Sequence, residues 1–399
     1  MNKPRIFINM HYMELGGAER ALLGLLNAID TKLVDVDLFL NQHTGPFMSM
    51  IPKKIHLLPE EPEYSVIEKP ITECIRQRQW KIAWARTIAR LKYKRYLRAN
   101  NLSADGSATH YVFNETIKYL PSLTKYGHYD LAISFLDPPH IVQEKVSASC
   151  KIEWIHTDFS YVKVDIPTTE YWWKQNDYIA SISASVTQQF LQLYPSLKDK
   201  IIEIHNILSP TFVREQAVLT SIAPRSNMLN ICSVGRISYQ KNFESIPFIA
   251  KFLTDRGVNF HWQIVGPGDS SSIVEAARQL GVSEFVEFVG AKDNPYPYIN
   301  ACDIYVQPSR YEGHSVTVRE AQMLYKPVVI TNYNTASNQV QSGVDGIICE
   351  LENGAIADAI ISLANNTDLY QSIVNYLHNH DYGNEEEVTK IYELLCISY

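Results

Sequence analysis

The sequence predicts an α/β protein made of two doubly wound units, and three observations carry that expectation. At 399 residues the chain exceeds what one hydrophobic core usually supports, so two domains follow. Each half opens alike, with a short apolar run and a glycine turn: Arg5-Ile6-Phe7-Ile8-Asn9 before Gly16-Gly17, and Leu229 to Val234 before Gly235. A third stretch, 303–331, reads as strand, turn, helix and strand. The expected boundaries are an N-terminal unit over 1–208, a linker over 209–227, a C-terminal unit over 228–383 and a terminal helix over 384–399.

In chain order, the first strand leads through Gly16-Gly17-Ala18-Glu19-Arg20 into a helix with Ala21, Leu22, Leu25 and Leu26 on one face. The turn lacks the GxGxxG spacing of a dinucleotide fingerprint, so hydride chemistry gains no support. Asp35 and Asp37 alternate within the next strand, 34–40. Two carboxylates on one strand face can hold a metal, but they read more simply as a polar face, and no metal is assigned. Residues 74–98 are strongly basic, with nine Lys and Arg from Arg76 to Arg98 and with Trp80, Trp84, Ile88 and Leu91 on one helical stripe. That stripe suits a surface helix meeting anionic lipid headgroups. The alternative is a solvated helix whose tryptophans pack on the core. Further strands are expected at 130–135, 151–156, 178–183 and 201–206, with Tyr171-Trp172-Trp173 as core aromatics in preference to an acceptor wall. His156 closes its strand where ligands collect in open α/β sheets.

The C-terminal half carries the densest chemistry. Arg236 and Lys241 lie in the loop after the 229–234 strand, where two cations can converge on one anion. A strand over 261–265 ends in Gly266-Pro267-Gly268, and a strand over 285–290 precedes the central stretch, Pro308 to Lys326. There Glu312 and Glu320 stand eight apart, with Gly313 directly after the first. The turn and the start of the helix at Ser315 offer unpaired N–H groups to a phosphate. Glu320 falls about 7 Å further along the axis. A sugar diphosphonucleoside has this layout, with diols at both ends for the two carboxylates and a pyrophosphate between them. At the end of the chain, Asn384 is expected to cap a helix carrying Val388, Ile391, Leu394 and Leu395.

With these residues in hand, 308–326 resembles the paired-glutamate motif of glycosyltransferase family 4, retaining enzymes of the GT-B fold. Val234-Gly235-Arg236 with Lys241-Asn242 resembles that family's pyrophosphate-binding pair, and Gly16-Gly17-Ala18-Glu19-Arg20 its opening loop. Trp154-Ile155-His156-Thr157-Asp158 resembles the segment bearing its histidine near the reacting sugar carbon, and Gly266 its second glycine turn. The resemblance implies two Rossmann-like domains facing across a cleft, the N-terminal one binding the acceptor and the C-terminal one the nucleotide sugar, with the terminal helix crossing back to the first, and transfer of a hexose or N-acetylhexosamine with retention. It implies catalytic roles for Glu312, Arg236, Lys241 and His156. Substrate contacts would come from Glu320, Gly16, Gly17, Gly313, His314, Ser315, Val316 and Gly266. The nucleotide sugar is a substrate, and neither cofactor nor metal is implied. Similarity to bacterial surface-polysaccharide and lipopolysaccharide enzymes favours a uridine diphosphate donor over guanosine diphosphate mannose, and a glycan or lipid-linked glycan acceptor. His314-Ser315 departs from the aromatic residue and glycine of many relatives, at a place that lines the hexose pocket. Two other readings remain beside transfer: a non-catalytic nucleotide-sugar-binding partner, and an epimerase of the same fold.

A net charge of −7 argues against bulk nucleic-acid binding. The six cysteines are scattered, which suits buried thiols in a reducing compartment better than disulfides or zinc. The N-terminus lacks the apolar core of a signal peptide and no run reaches a membrane span, so a cytoplasmic place is expected, at the inner face of the plasma membrane if the basic segment meets lipid.

Overall fold

The computed structural model describes residues 3–14, 16–157, 159, 162–312 and 315–397. The chain forms two compact units, residues 1–208 together with 384–399, and residues 209–383.

The first unit is built on seven parallel strands: β1 (Arg5–Met10), β2 (Asp35–Leu40), β3 (His56–Leu57), β4 (His128–Ser134), β5 (Ser147–Ile155), β6 (Tyr178–Ser181) and β7 (Ile201–Glu203). Their order is β3-β2-β1-β4-β5-β6-β7. A parallel sheet covered on both faces needs apolar side chains on both sides of each strand. β1 supplies Ile6, Phe7, Ile8 and Met10, all fully buried. The chain winds outward from β1 to β3, then returns to lay β4 on the other side of β1. That reversal opens a crevice at the carboxyl ends of β1 and β4. The helix Gly17–Ala28 buries Ala21, Leu22, Leu25 and Leu26. Its Gly24 lies so near the Ile207 carbonyl that a Cβ would fall 1.8 Å from the oxygen.

The tryptophan stripe of the long helix Trp80–Ala99 points outward. Trp80, Trp84 and Leu91 are 62%, 65% and 64% exposed, while Ile82, Ala83, Ala85 and Ala89 form the buried face. Small alanines seat the helix against the unit, so the tryptophans do not pack on the core. Trp172 and Trp173 are buried and Tyr171 is exposed.

The second unit repeats the plan with six parallel strands: β8 (Leu229–Val234), β9 (Phe260–Val265), β10 (Val286–Gly290), β11 (Ile304–Gln307), β12 (Val328–Thr331) and β13 (Gly346–Cys349). The order is β10-β9-β8-β11-β12-β13, so the reversal falls between β8 and β11. Phe243, Phe260, Trp262 and Ile264 centre its core.

Two expectations change. The stretch expected as a linker, 209–227, begins with a helix, Pro210–Val218, belonging to the second unit. Ser209 accepts the Phe212 N–H, proline fills the first turn, and Phe212, Val213 and Ala217 are buried. Only 219–228 is irregular. Asn384 does not cap the terminal helix: its side chain accepts from Leu208 N–H and donates to the Asn206 carbonyl. The terminal segment is held in the first unit by Glu387 on the His205 N–H and by the Tyr392 hydroxyl, which accepts from the Asp30 N–H.

Replacing Gly24 by alanine pits a helix-propensity gain of about 1 kcal/mol against the contact with Ile207. The clash is expected to win, with a net loss of about 1–3 kcal/mol and a lower Tm in a thermal scan. Gly17→Ala, whose Cβ would meet nothing within 4 Å, is the neutral control.

Candidate active site

The crevice between β8 and β11 brings two loops together. The loop after β8 is pinned to the next glycine turn by Gly235 N–H on the Val265 carbonyl and Ile237 N–H on the Pro267 carbonyl, at 2.9 and 2.8 Å. It carries Arg236, Gln240 and Lys241; the loop after β11 carries Ser309, Arg310 and Glu312. Lys241 Nζ lies 2.5 Å from Glu312 Oε1, Ser309 Oγ 2.7 Å from the same oxygen, and Gln240 Nε2 3.2 Å from Glu312 Oε2. The ion pair is sheltered, with side chains 16% and 6% exposed. Removing one partner of so enclosed a pair costs about 3–5 kcal/mol. An ammonium has three donors, so Lys241 can hold Glu312 and still reach an anion. Arg236 is exposed and makes no ion pair among the described residues, leaving its guanidinium free for the same anion.

The Glu312 loop is fastened along its length. The Arg310 N–H donates to the Gln240 carbonyl, and the Arg310 guanidinium meets the Tyr239 carbonyl and Glu244, both at 2.6 Å. The Thr331 and Thr335 hydroxyls donate to the carbonyls of Ser309 and Glu312. Gln339 clasps Ser315 from both sides, accepting its N–H at 3.0 Å and donating to its carbonyl at 2.9 Å. Behind the loop a buried relay runs from the Tyr305 hydroxyl through Gln307 and Ser309 to Glu312. Each neutral bond is worth about 0.5–1.5 kcal/mol net, so together they hold the carboxylate in one place.

The clasp corrects the expectation for Ser315. Its N–H is taken by Gln339 and its side chain makes no cap on the helix Val316–Met323. The donors left at that helix start are the N–H groups of Val316 and Thr317, which lack intrahelical acceptors. Glu320, just over one turn in, is buried and accepts the Tyr296 hydroxyl at 2.8 Å. Gly266 has φ +151°, and a Cβ there would fall 1.9 Å from the Gly235 carbonyl oxygen. Its glycine is therefore required by packing of the two glycine turns. Gly313 and His314 lie outside the described residues.

The other predicted residues belong to the first unit. Gly16 is extended, and a Cβ would fall 2.0 Å from the Glu19 carboxylate folded back over the helix start; Gly17 faces open space. His156, directly after β5, packs on the Phe135 ring at 4.6 Å. Its Nε2 is enclosed without a hydrogen-bond partner among the described residues. Burial lowers its pKa to about 3, so the imidazole is neutral at ordinary pH. Asp37 is occupied by Arg5, His56 and Tyr129.

Sequence reading missed Ser309, three residues from its partner Glu312, and Gln240, Thr335 and Gln339, which no spacing marks because their partners lie in other loops. It also missed Tyr296 and, in the first unit, His11, Glu68, His110 and Asp137. His11 could have been found by the rule that singled out His156, since it directly follows a central strand, and Asp137 lies three residues past another.

Two parallel-sheet units of this kind define the GT-B glycosyltransferase fold. Residues 221–380, most of the second unit, match the family described as Glycosyl transferases group 1. Over 360 residues the chain is 25% identical to a Campylobacter jejuni enzyme named N-acetylgalactosamine-N,N'-diacetylbacillosaminyl-diphospho-undecaprenol 4-alpha-N-acetylgalactosaminyltransferase, covering 88% of this chain and 87% of the other. It is 28% identical over 143 residues to the capsular polysaccharide biosynthesis glycosyltransferase CapM of Staphylococcus aureus, covering 35% and 38%. The chain thus spans little more than a third of CapM's length. Among solved structures, a Rickettsia africae glycosyltransferase superposes with TM-score 0.64 at 16% identity over all of both chains. Anabaena HepE in complex with UDP-glucose gives 0.62 at 15% identity, covering 98% and 99%.

Because the unfolded His156 binds a proton near pH 6.5 and the folded one only near pH 3, the unfolded state holds more protons between those values. Stability then rises with pH across that window. Wild-type Tm is expected to fall more between pH 7.5 and 4.5 than that of His156→Phe, checked by parallel thermal scans.

Proposed function

We propose that the chain is a retaining glycosyltransferase moving a hexose or N-acetylhexosamine from a nucleotide diphosphate sugar, a UDP-sugar by preference, to a glycan or lipid-linked glycan in cell-surface polysaccharide biosynthesis. The observation that carries it is the sheltered Lys241–Glu312 contact beside the unpaired Arg236 at the β8/β11 crevice. Lys241, Arg236 and the Val316 and Thr317 N–H groups would stabilise charge growing on the departing diphosphate, usually the main source of acceleration in such a step. Glu312 would accept hydrogen bonds from hexose hydroxyls and Glu320 from the ribose. His156, neutral, would orient the sugar by hydrogen bonding rather than by charge. The departing phosphate oxygen would take the acceptor proton on the face it leaves, so no enzymic nucleophile is needed. Neither metal nor cofactor has a part in this reading. The names of the relatives, one in capsule synthesis and one acting on a diphospho-undecaprenol, support the polysaccharide setting.

Release of free nucleoside diphosphate from a panel of nucleotide sugars tests it. One donor is expected to be hydrolysed slowly, with Glu312→Gln and Arg236→Ala slower by about 10²–10³-fold. Binding without release, even with membrane extract supplying acceptor, would favour the non-catalytic partner. A new nucleotide sugar formed without acceptor would favour the epimerase.

The outward stripe of the Trp80–Ala99 helix, set among Lys81, Arg90, Lys94, Arg95 and Arg98, supports contact with an anionic membrane. Among the described residues no helix is long and apolar enough to cross one. Co-sedimentation is expected with vesicles containing phosphatidylglycerol and not with phosphatidylcholine alone. It should weaken about tenfold in Trp80→Ser/Trp84→Ser and with added salt; equal binding by wild type and variant would remove the stripe from this role.

A further inference from the structure

Strand β11 ends on a polar residue after an apolar run. Ile304, Tyr305 and Val306 lead to Gln307, and all four are fully buried. A buried amide is costly unless its groups are bonded, and Gln307 is bonded at both. Its side chain meets the Tyr305 hydroxyl at 2.8 Å, Ser309 Oγ at 2.9 Å and Thr317 Oγ1 at 3.3 Å. Ser309 touches Glu312, and Thr317 stands in the first turn of the helix Val316–Met323. One buried amide therefore ties the Glu312 loop to the start of that helix.

The direction of these bonds is forced. Glu312, paired with Lys241, is a carboxylate and can only accept. Ser309 has a single hydroxyl proton and gives it to Glu312 Oε1, so toward Gln307 it accepts. Gln307 must present its N–H there, which turns its carbonyl oxygen to Tyr305 and Thr317, and both donate to it. The Val234 N–H, 3.3 Å from the Tyr305 oxygen, closes the far end. The donors thus point along the row toward Glu312, whose two oxygens come out unlike. Among the described residues, Oε1 takes both Ser309 and Lys241, whereas Oε2 takes the Gln240 amide at 3.2 Å. Oε1 is the anchor, and Oε2 has more lone-pair capacity left for a ligand hydroxyl.

Resting on the transferase reading above, we infer that Gln307 is a positioning residue for the transfer. It keeps the Ser309 proton on Glu312 Oε1, so that Oε2 turns to the hexose hydroxyls, and through Thr317 it keeps the diphosphate-facing helix start in register with that carboxylate. The amide's donor matters here, not its bulk. A carboxylate in its place would accept from Tyr305, Thr317 and Ser309 together, drawing the Ser309 proton off Glu312. An un-ionised carboxyl keeps one O–H for Ser309 and preserves the direction.

Gln307→Glu in the full chain therefore tests the role by pH. Burial raises the pKa of the new carboxyl, so it is protonated at the acid end and reverses the row as it ionises. The other titratable groups around the site are Tyr305, Cys232 on β8, Glu320 on the helix, Tyr333 after β12 and the Lys241–Glu312 pair. Wild type carries all of these, and the ratio of variant to wild type at each pH isolates the new group. Release of nucleoside diphosphate from the nucleotide sugar selected by the panel above is expected near the wild-type rate at about pH 6. By about pH 9 it should fall about 10–100-fold below wild type, in kcat, with KM and affinity for the released nucleoside diphosphate unchanged. Ser309→Ala should be slower at every pH, and Gln307→Glu added to it should bring no further pH dependence. A wild-type pH profile in Gln307→Glu, or a pH dependence that survives on the Ser309→Ala background, would overturn the role. If Gln307→Glu fails to bind the nucleoside diphosphate, Gln307→Met decides: its loss should vanish on the Ser309→Ala background, and additive losses would overturn the role. No release by wild type from any nucleotide sugar, with or without membrane extract, would instead overturn the transferase reading and this role with it.

Discussion

Both units depend on one constraint, a parallel sheet whose first strand lies inside it rather than at its edge. Parallel neighbours need crossovers, and a chain that winds first to one side and then to the other must part its loops at the reversal. In the first unit that place lies between β1 and β4, in the second between β8 and β11. The glycine turns follow from it. Gly266 meets the Gly235 backbone, and Gly24 meets Ile207, because the elements flanking the first strand must close on it without side chains in the way.

The two crevices resolve their polar groups differently. In the second unit, Glu312 is met by three donors and its loop is tied by backbone and side-chain bonds. Such a carboxylate can exchange one partner for a ligand hydroxyl without being left bare. In the first unit, His11 and Glu68 hold each other and leave capacity unused. A satisfied site is rigid before its ligand arrives; an unsatisfied one gains partners when the ligand arrives.

Much of this was legible in the sequence, and for physical reasons. Strands buried on both faces read as apolar runs, so eleven of the thirteen were marked; β3 has only two residues, and the edge strand β13 is only half-buried from Ile347 to Cys349. Glu312, Lys241 and Arg236 could be read because they sit in loops directly after strands, and the structure brings Lys241 and Glu312 into contact. The supporting shell could not. Gln339 reaches Ser315 across 24 residues, a separation with no periodic signature. The Pro210–Val218 helix was hidden by Thr220-Ser221 and Pro224 downstream, although Ser209-Pro210 is itself a helix-start signal.

The grip of Gln339 and Thr335 on the Glu312 loop has a bearing on how such a chain could change its sugar. Glu312 and Ser315, which on the proposed reading would face a hexose, are seated in part on the segment after β12. Exchange of residues 332–339 would tilt the whole loop while leaving both glutamates, Arg236 and Lys241 in the sequence. Selectivity could then drift through a stretch that contains none of the recognition residues, and two chains with identical motifs could differ in the sugar they accept.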